Sequence, residues 1–188
     1  MEEAEENTQR NGLQKIAGEQ EYILPSWRMN EILLEVISVL SEEEYYKEGF
    51  DYRKMIQGMG IKIKKFSSFA PENLEQFRKI SLSLWNEGVC LLFPDKDTGG
   101  QHKMIAYNDS HSAAETMQII LHEFAHIRLR HTQQSINGEV EATCFSIAMS
   151  LMFMLEEQLH IGMKTAQIGG KDFLLKSVRA CIEKKEVA

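Results

Sequence analysis

Cysteine and proline are both scarce in this sequence. The chain of 188 residues contains three cysteines and three prolines. The cysteines (Cys90, Cys144 and Cys181) are odd in number and lack Cys-x-x-Cys spacing, which argues against a disulfide framework or a cysteine-based metal site. Reduced thiols of this kind are typical of proteins in the cytoplasm. We therefore expect a cytoplasmic protein whose cysteines serve as small apolar side chains.

Long apolar runs and an excess of positive charge are also missing. The longest apolar stretch, residues 144–155, is about a dozen residues long and contains two serines, whereas a membrane span needs ~20 apolar residues. The first six residues, Met-Glu-Glu-Ala-Glu-Glu, lack the basic start and apolar centre of a secretory signal. A net charge of −7 argues against a phosphate-binding surface. We therefore expect neither a membrane nor a nucleic acid as a direct partner.

The apolar pattern predicts a single, mainly helical α+β domain. Residues 1–20 are acidic and have few apolar anchors, as in disordered tails, so the folded domain is expected to span residues 21–188. Within it, apolar residues recur at helical spacing in some stretches and at strand spacing in others. The predicted helices include 27–40, 41–57 and 71–85, and the predicted strands are 61–66, 88–93 and 104–107. We expect these strands to form a small sheet packed on a further helix that begins near Ser112.

That further helix carries two histidines on one side. Ser112 and Glu115 have the spacing of a capping box, which marks a helix start. His122 and His126 are four residues apart, so both imidazoles project from the same side of the helix. Apolar residues flank them on both sides. Imidazoles buried in this way lose their hydration, which is unfavourable unless another group or a metal ion binds them. Neutral imidazole is a good zinc ligand. Two ordinary histidines are the alternative, but the capped apolar helix favours a metal site.

Glu123 completes the run His122-Glu123-Phe124-Ala125-His126. In His-Glu-x-x-His sites the glutamate accepts a proton from water that the metal has activated, and it does not bind the metal itself. The sequence therefore predicts Glu123 as the general base of a zinc-dependent hydrolase.

A catalytic zinc needs a third protein ligand, and two glutamates compete for this role. Glu139 begins a polar stripe at helical spacing that continues with Thr143, Ser146 and Ser150. Glu141 instead shares a face with apolar residues, which indicates a core-facing position. Polar side chains on a buried helix are unfavourable unless they have partners, so such a stripe indicates a role such as lining a metal site. Glu139 is the predicted ligand and Glu141 the alternative, although both would also suit the dipole of a helix start.

These residues resemble the ImmA/IrrE family of metallopeptidases over roughly residues 55–155. The matching segments are residues 119–126 and residues 139–146, where the family shows Glu-x-(Glu/Gln)-Ala-(Asn/Asp)-x-Phe-Ala. The resemblance implies a zincin-like fold and a thermolysin-like zinc site whose third ligand is Glu139. It also implies a protein substrate, because similar members cleave helix-turn-helix repressor proteins.

The chain departs from the family pattern at two places. Thr143 stands where the family has the Asn or Asp that orients a ligating histidine, a role that a threonine hydroxyl can fill by hydrogen bonding. The Leu-Leu-Met-Pro ending of the family is absent, so the helix is predicted to continue to about Leu159. Neither change removes a predicted metal ligand.

Further interpretations concern the substrate. Residues 104–107 either receive the substrate as an added β-strand or form an ordinary sheet strand. Tyr107, His111 and His131 are the candidates for the group that stabilises the oxyanion. The alternative to a peptidase is a catalytically inactive zincin-like module that binds or senses a regulatory partner, which the presence of Glu123 disfavours.

Overall fold

The described part of the chain contains five helices and a small sheet. A computed structural model describes residues 22–43, 50–95, 99–166 and 179–180, with the backbone alone for residues 155–166. The helices are α1 (Ser26–Glu42), α2 (Tyr52–Gly58), α3 (Pro71–Ile80), α4 (Ala113–Arg128) and α5 (Ile136–Ala166), and the strands are β1 (Ile61–Lys65), β2 (Gly88–Pro94) and β3 (Gln101–Tyr107). This arrangement confirms the predicted mainly helical α+β class. The predicted tail, residues 1–20, lies outside the described residues.

The sheet has the strand order β1-β3-β2, so β3 is the central strand. β1 pairs with β3 in parallel, with Ile61 opposite Lys103. β2 pairs with β3 antiparallel, with Gly88 opposite Tyr107. Because strand addition needs a free edge, the hypothesis that residues 104–107 receive the substrate as an added strand is wrong, and these residues form an ordinary sheet strand.

Helix α4 runs through the core of the domain. Residues 119–126 are all buried, with α5 packed against the helix together with β2 and β3. The rings of Phe124 on α4 and Phe145 on α5 meet edge to face, with 5.9 Å between their centroids. Full burial of side chains of this size stabilises the fold by about 1.5–3 kcal/mol each. The prediction of a helix covered on both sides is therefore confirmed, as is the capping box of Ser112 and Glu115.

Helix α3 ends earlier than predicted. The prediction extended this helix to residue 85, but it ends at Ile80, and residues 81–87 are not helical. The hydroxyl oxygen of Ser81 accepts hydrogen bonds from the amides of Ser83 and Cys90, each at 3.1 Å. Such local bonds from a serine side chain compete with helix formation. Residues 81–87, called the 81–87 segment below, instead form the connection from α3 to β2.

Other boundaries shift as well. Helix α5 begins at Ile136 and continues to Ala166, beyond the predicted end near Leu159. In the predicted helix 41–57, residues 44–49 lie outside the described residues, and α2 begins only after Asp51, whose carboxylate caps it by accepting from the Arg53 amide at 2.8 Å. Within the described ranges, none of the helices combines the length and apolarity that a membrane span requires.

Candidate metal centre

Three side chains from two helices converge on one point. His122 Nε2 lies 3.1 Å from Glu139 Oε2, His126 Nε2 lies 3.4 Å from Glu139 Oε1, and the two Nε2 atoms are 3.3 Å apart. Tetrahedral zinc, with bonds of 2.0–2.1 Å, would place its ligand atoms about 3.3–3.4 Å apart. The spacing of these three groups therefore fits a single tetrahedral metal ion, and the two-histidine, one-carboxylate donor set is one that catalytic zinc uses.

The charge states of these groups also suit a metal. Burial and the charge of the neighbouring His122 together lower the pKa of His126 to about 3, although Glu139 opposes the shift. Partial burial works against ionisation of Glu139, but its contacts with His122 and with the Leu84 amide outweigh this and lower the pKa of the carboxyl. A neutral imidazole and an ionised carboxylate are the forms that bind metals.

Glu123 is fully buried beside these groups. Neither of its carboxylate oxygens has a hydrogen-bond partner among the described residues. Burial raises the pKa of this carboxyl well above its usual value; nearby Ser83 offsets part of the shift, and the charge of Glu139 adds to it. Burying an unpaired carboxyl is unfavourable for folding. A carboxyl with a strongly shifted pKa beside a candidate metal site is a candidate general base.

Gly88 makes room for Glu123. A Cβ atom at Gly88, the first residue of β2, would lie 2.6 Å from both Cγ and Oε1 of Glu123. Real Cβ atoms do not approach other atoms this closely, so only glycine fits here without a shift. A glycine within a predicted strand was the available sequence signal, since it often marks a close approach of this kind.

We expect Gly88→Ala to lower the free energy of unfolding by about 1–3 kcal/mol, the usual effect of overpacking a core. Chemical denaturation of the metal-free protein measures this change. Gly58→Ala is the matched control, because a Cβ atom there has no neighbour within 4 Å. Adding Glu123→Ala to Gly88→Ala should relieve the clash, and an unchanged stability of Gly88→Ala would contradict the packing argument.

The structure separates the two competing glutamates. Glu139 joins the histidines, whereas Glu141 contacts Arg28 at 2.6 Å and His131 at 3.3 Å. Glu141 shares its predicted core-facing stripe with the buried Phe145 and Met152, and its carboxylate is ion-paired there and does not reach the two histidines. The predicted polar stripe also divides. Ser146 and Ser150 bond to Gln118, while Thr143 Oγ1 lies 3.5 Å from His122 Nδ1, the outer limit of a hydrogen bond.

The three candidates for stabilising the oxyanion lie in different surroundings. The Nδ1 atom of His131 contacts His126, and its Nε2 atom contacts Glu141. Neither ring nitrogen is free to bind an oxyanion, so the prediction for His131 is wrong. His111 Nε2 lies 2.6 Å from Glu87 Oε2. Tyr107 is buried, with the Arg53 guanidinium over its ring.

The 81–87 segment covers the cluster of His122, His126 and Glu139, a feature that the sequence prediction missed. The Leu84 amide donates to Glu139 Oε1 at 2.7 Å. The Trp85 ring meets the His122 ring edge-on, with 4.7 Å between their centroids. The side-chain amide of Gln134 holds the segment in place by donating a hydrogen bond to the Ser83 carbonyl at 3.1 Å. The alternating serines 81 and 83 were the available sequence signal for a non-helical stretch.

A His-Glu-x-x-His helix, a glutamate from the following helix and a buried carboxyl beside them form a candidate metal site of the kind that metallopeptidases use. The chain belongs to the peptidase M78 family, since the model of the IrrE N-terminal-like domain matches residues 60–160. The match spans all three strands, α3, α4 and most of α5, and it confirms the resemblance to the ImmA/IrrE family. No curated protein and no solved structure matches the chain.

Proposed function

We propose that this protein is a zinc-dependent endopeptidase in which His122, His126 and Glu139 hold the metal. The observation that carries the proposal is the spacing of 3.1–3.4 Å among the two Nε2 atoms and the Glu139 oxygens. Membership of a metallopeptidase family supports it. Zinc is the ion that the two-histidine, one-carboxylate set holds in thermolysin-type enzymes. Bound there, zinc would supply a Lewis acid that activates water and polarises a peptide carbonyl.

Glu123 would act as the general base. Its carboxylate accepts a proton from the attacking water, whose oxygen bonds to the peptide carbonyl carbon. The same carboxyl then returns the proton to the leaving nitrogen as the carbon–nitrogen bond breaks, giving a carboxylic acid and an amine, between which a second proton passes to leave a carboxylate and an ammonium group. The absence of a hydrogen-bond partner for Glu123 among the described residues leaves both of its oxygens available for this transfer.

The proposed substrate is a helix-turn-helix repressor protein, which the enzyme would meet in the cytoplasm. The support is the family resemblance, since similar members cleave such repressors. Cys90 and Cys144 are free thiols, as suits a reducing compartment. Direct contact with nucleic acid or membrane forms no part of the proposal.

A catalytically inactive module that binds a regulatory partner is the second candidate. The observation that favours it is the closed site, because His122 is 3% and His126 1% exposed beneath the 81–87 segment. Against it stands the unpaired, fully buried carboxyl of Glu123. A binding module has no need of such a group, and burying it is unfavourable for folding.

Metal content and cleavage test the proposal together. Protein purified without chelators is expected to contain about one zinc ion per chain, measured by plasma mass spectrometry. It should cleave a helix-turn-helix repressor offered as substrate, or an unstructured protein such as casein. Phenanthroline should abolish cleavage and added zinc should restore it. Failure to take up zinc under metal-replete conditions would overturn the proposal, whereas zinc uptake without any cleavage would favour the inactive module.

A further inference from the structure

His126 has a second polar contact on the side of its ring away from the cluster. Its Nδ1 lies 2.9 Å from Nδ1 of His131, and the two rings meet edge-on with centroids 4.9 Å apart. His131 Nε2 in turn lies 3.3 Å from Glu141 Oε2. Arg28 donates to that same oxygen at 2.6 Å, and Tyr22 donates to the other at 3.4 Å. A continuous chain of polar contacts thus leads outward from His126.

The backbone places His131 for this contact. Helix α4 ends in a Schellman motif, in which the amide of His131 donates to the carbonyl of His126 at 3.0 Å and that of Arg130 to the carbonyl of Ile127 at 3.3 Å. Arg130 has a φ of 59°, in the left-handed region where glycine is usual. A non-glycine residue there carries strain of about 1–3 kcal/mol. This strained turn places His131 against His126, whose Nε2 faces the cluster.

The direction of the hydrogen bonds follows from Glu141. A carboxylate only accepts, so the proton of a neutral His131 ring belongs on Nε2, facing Glu141. Nδ1 of His131 then carries a lone pair and must accept a hydrogen bond from the protonated Nδ1 of His126. That assignment leaves Nε2 of His126 unprotonated and directed at His122 and Glu139. The reverse direction would protonate Nε2 of His126 and place two acceptors face to face at Glu141.

We propose that His131, oriented by Glu141 and Arg28, is a positioning residue that holds His126 in the tautomer able to bind metal. The inference rests on the proposed zinc site, and it adds the residue that orients one of the three proposed ligands, His126. Partners that orient a ligating histidine raise its basicity and fix its ring, and their loss typically weakens metal binding about 10- to 100-fold. Thr143, at 3.5 Å from His122 Nδ1, offers the other histidine a much weaker contact.

Zinc affinity of two matched variants tests the inference. His131→Leu keeps the bulk of the side chain but removes the acceptor, and we expect it to weaken zinc binding about 10- to 100-fold. His131→Asn places an amide oxygen near the position of Nδ1 and should recover most of that loss. Competition with a chromophoric chelator at fixed pH measures both affinities. His102→Leu, at an exposed histidine on β3, is the control and should bind zinc as the wild type does.

Thermal unfolding separates positioning from packing. If His131 only packs, His131→Leu lowers the Tm of the metal-free and zinc-loaded proteins equally; if it positions His126, the Tm rise caused by zinc becomes smaller. Zinc affinity of His131→Leu within threefold of wild type, or equal losses in the Leu and Asn variants, would overturn the inference and leave the proposed function standing. A wild-type protein that binds no zinc would overturn both.

Discussion

Glu123→Gln is expected to keep zinc bound and to slow peptide cleavage by about 10²- to 10⁴-fold, the usual contribution of a general base. Glutamine keeps the shape of the side chain but cannot take up a proton as a carboxylate does. His122, His126 and Glu139, which form the cluster, are unchanged. The variant also replaces an ionisable group that burial disfavours, so the fold should not lose stability. Cleavage rates at saturating substrate, together with zinc content, measure the result.

Glu115→Gln is the matched control for this experiment. It makes the same chemical change on the same helix, at an exposed position in the capping box where glutamine also serves. Its cleavage rate and zinc content should equal those of the wild type. A Glu123→Gln enzyme that cleaves at the wild-type rate would exclude Glu123 as the base and transfer that role to another group.

Local patterns in the sequence predicted most of this centre. The helix that carries His122 and His126 has its own capping signal and apolar periodicity, so its side chains could be placed on faces before any tertiary contact was known. Glu139 emerged in the same way, from a polar stripe on the next helix. Short-range spacing encodes these features because a helix repeats every 3.6 residues.

The misplaced features depend on contacts between distant parts of the chain. Arg28 and Glu141 are 113 residues apart in sequence, and no helical periodicity encodes such a pairing. The apolar stripe therefore predicted the core-facing side for Glu141, but it did not predict the ion pair with an arginine from another helix. The central place of β3 depends on strand order, which alternation along a single strand does not specify. The 81–87 segment was misassigned because serine side chains compete with the backbone for hydrogen bonds.

Comparison of Glu139→Gln with Glu141→Gln provides the sharpest test of the ligand set. The two positions lie on the same helical turn and receive the same substitution, but only Glu139 reaches both histidines. Loss of its charged oxygens removes a direct ligand, so Glu139→Gln should purify without zinc and without measurable cleavage. Glu141→Gln removes charge only from the outer contact to His131, where the amide oxygen can still accept a hydrogen bond. It should therefore retain zinc, with affinity reduced by no more than about 10- to 100-fold.

The two variants also distinguish loss of metal from loss of fold. In unfolding experiments on the metal-free proteins, Glu141→Gln should be as stable as the wild type or less stable. The reason is that this substitution weakens the ion pair with Arg28 that joins α5 to α1. Glu139→Gln should keep its metal-free stability and lose the Tm rise that zinc produces in the wild type. The opposite pattern, with zinc lost from Glu141→Gln and kept by Glu139→Gln, would exchange the roles of the two glutamates. In that case metal binding would have to reorganise the start of α5, because the ion pair now holds Glu141 away from His122.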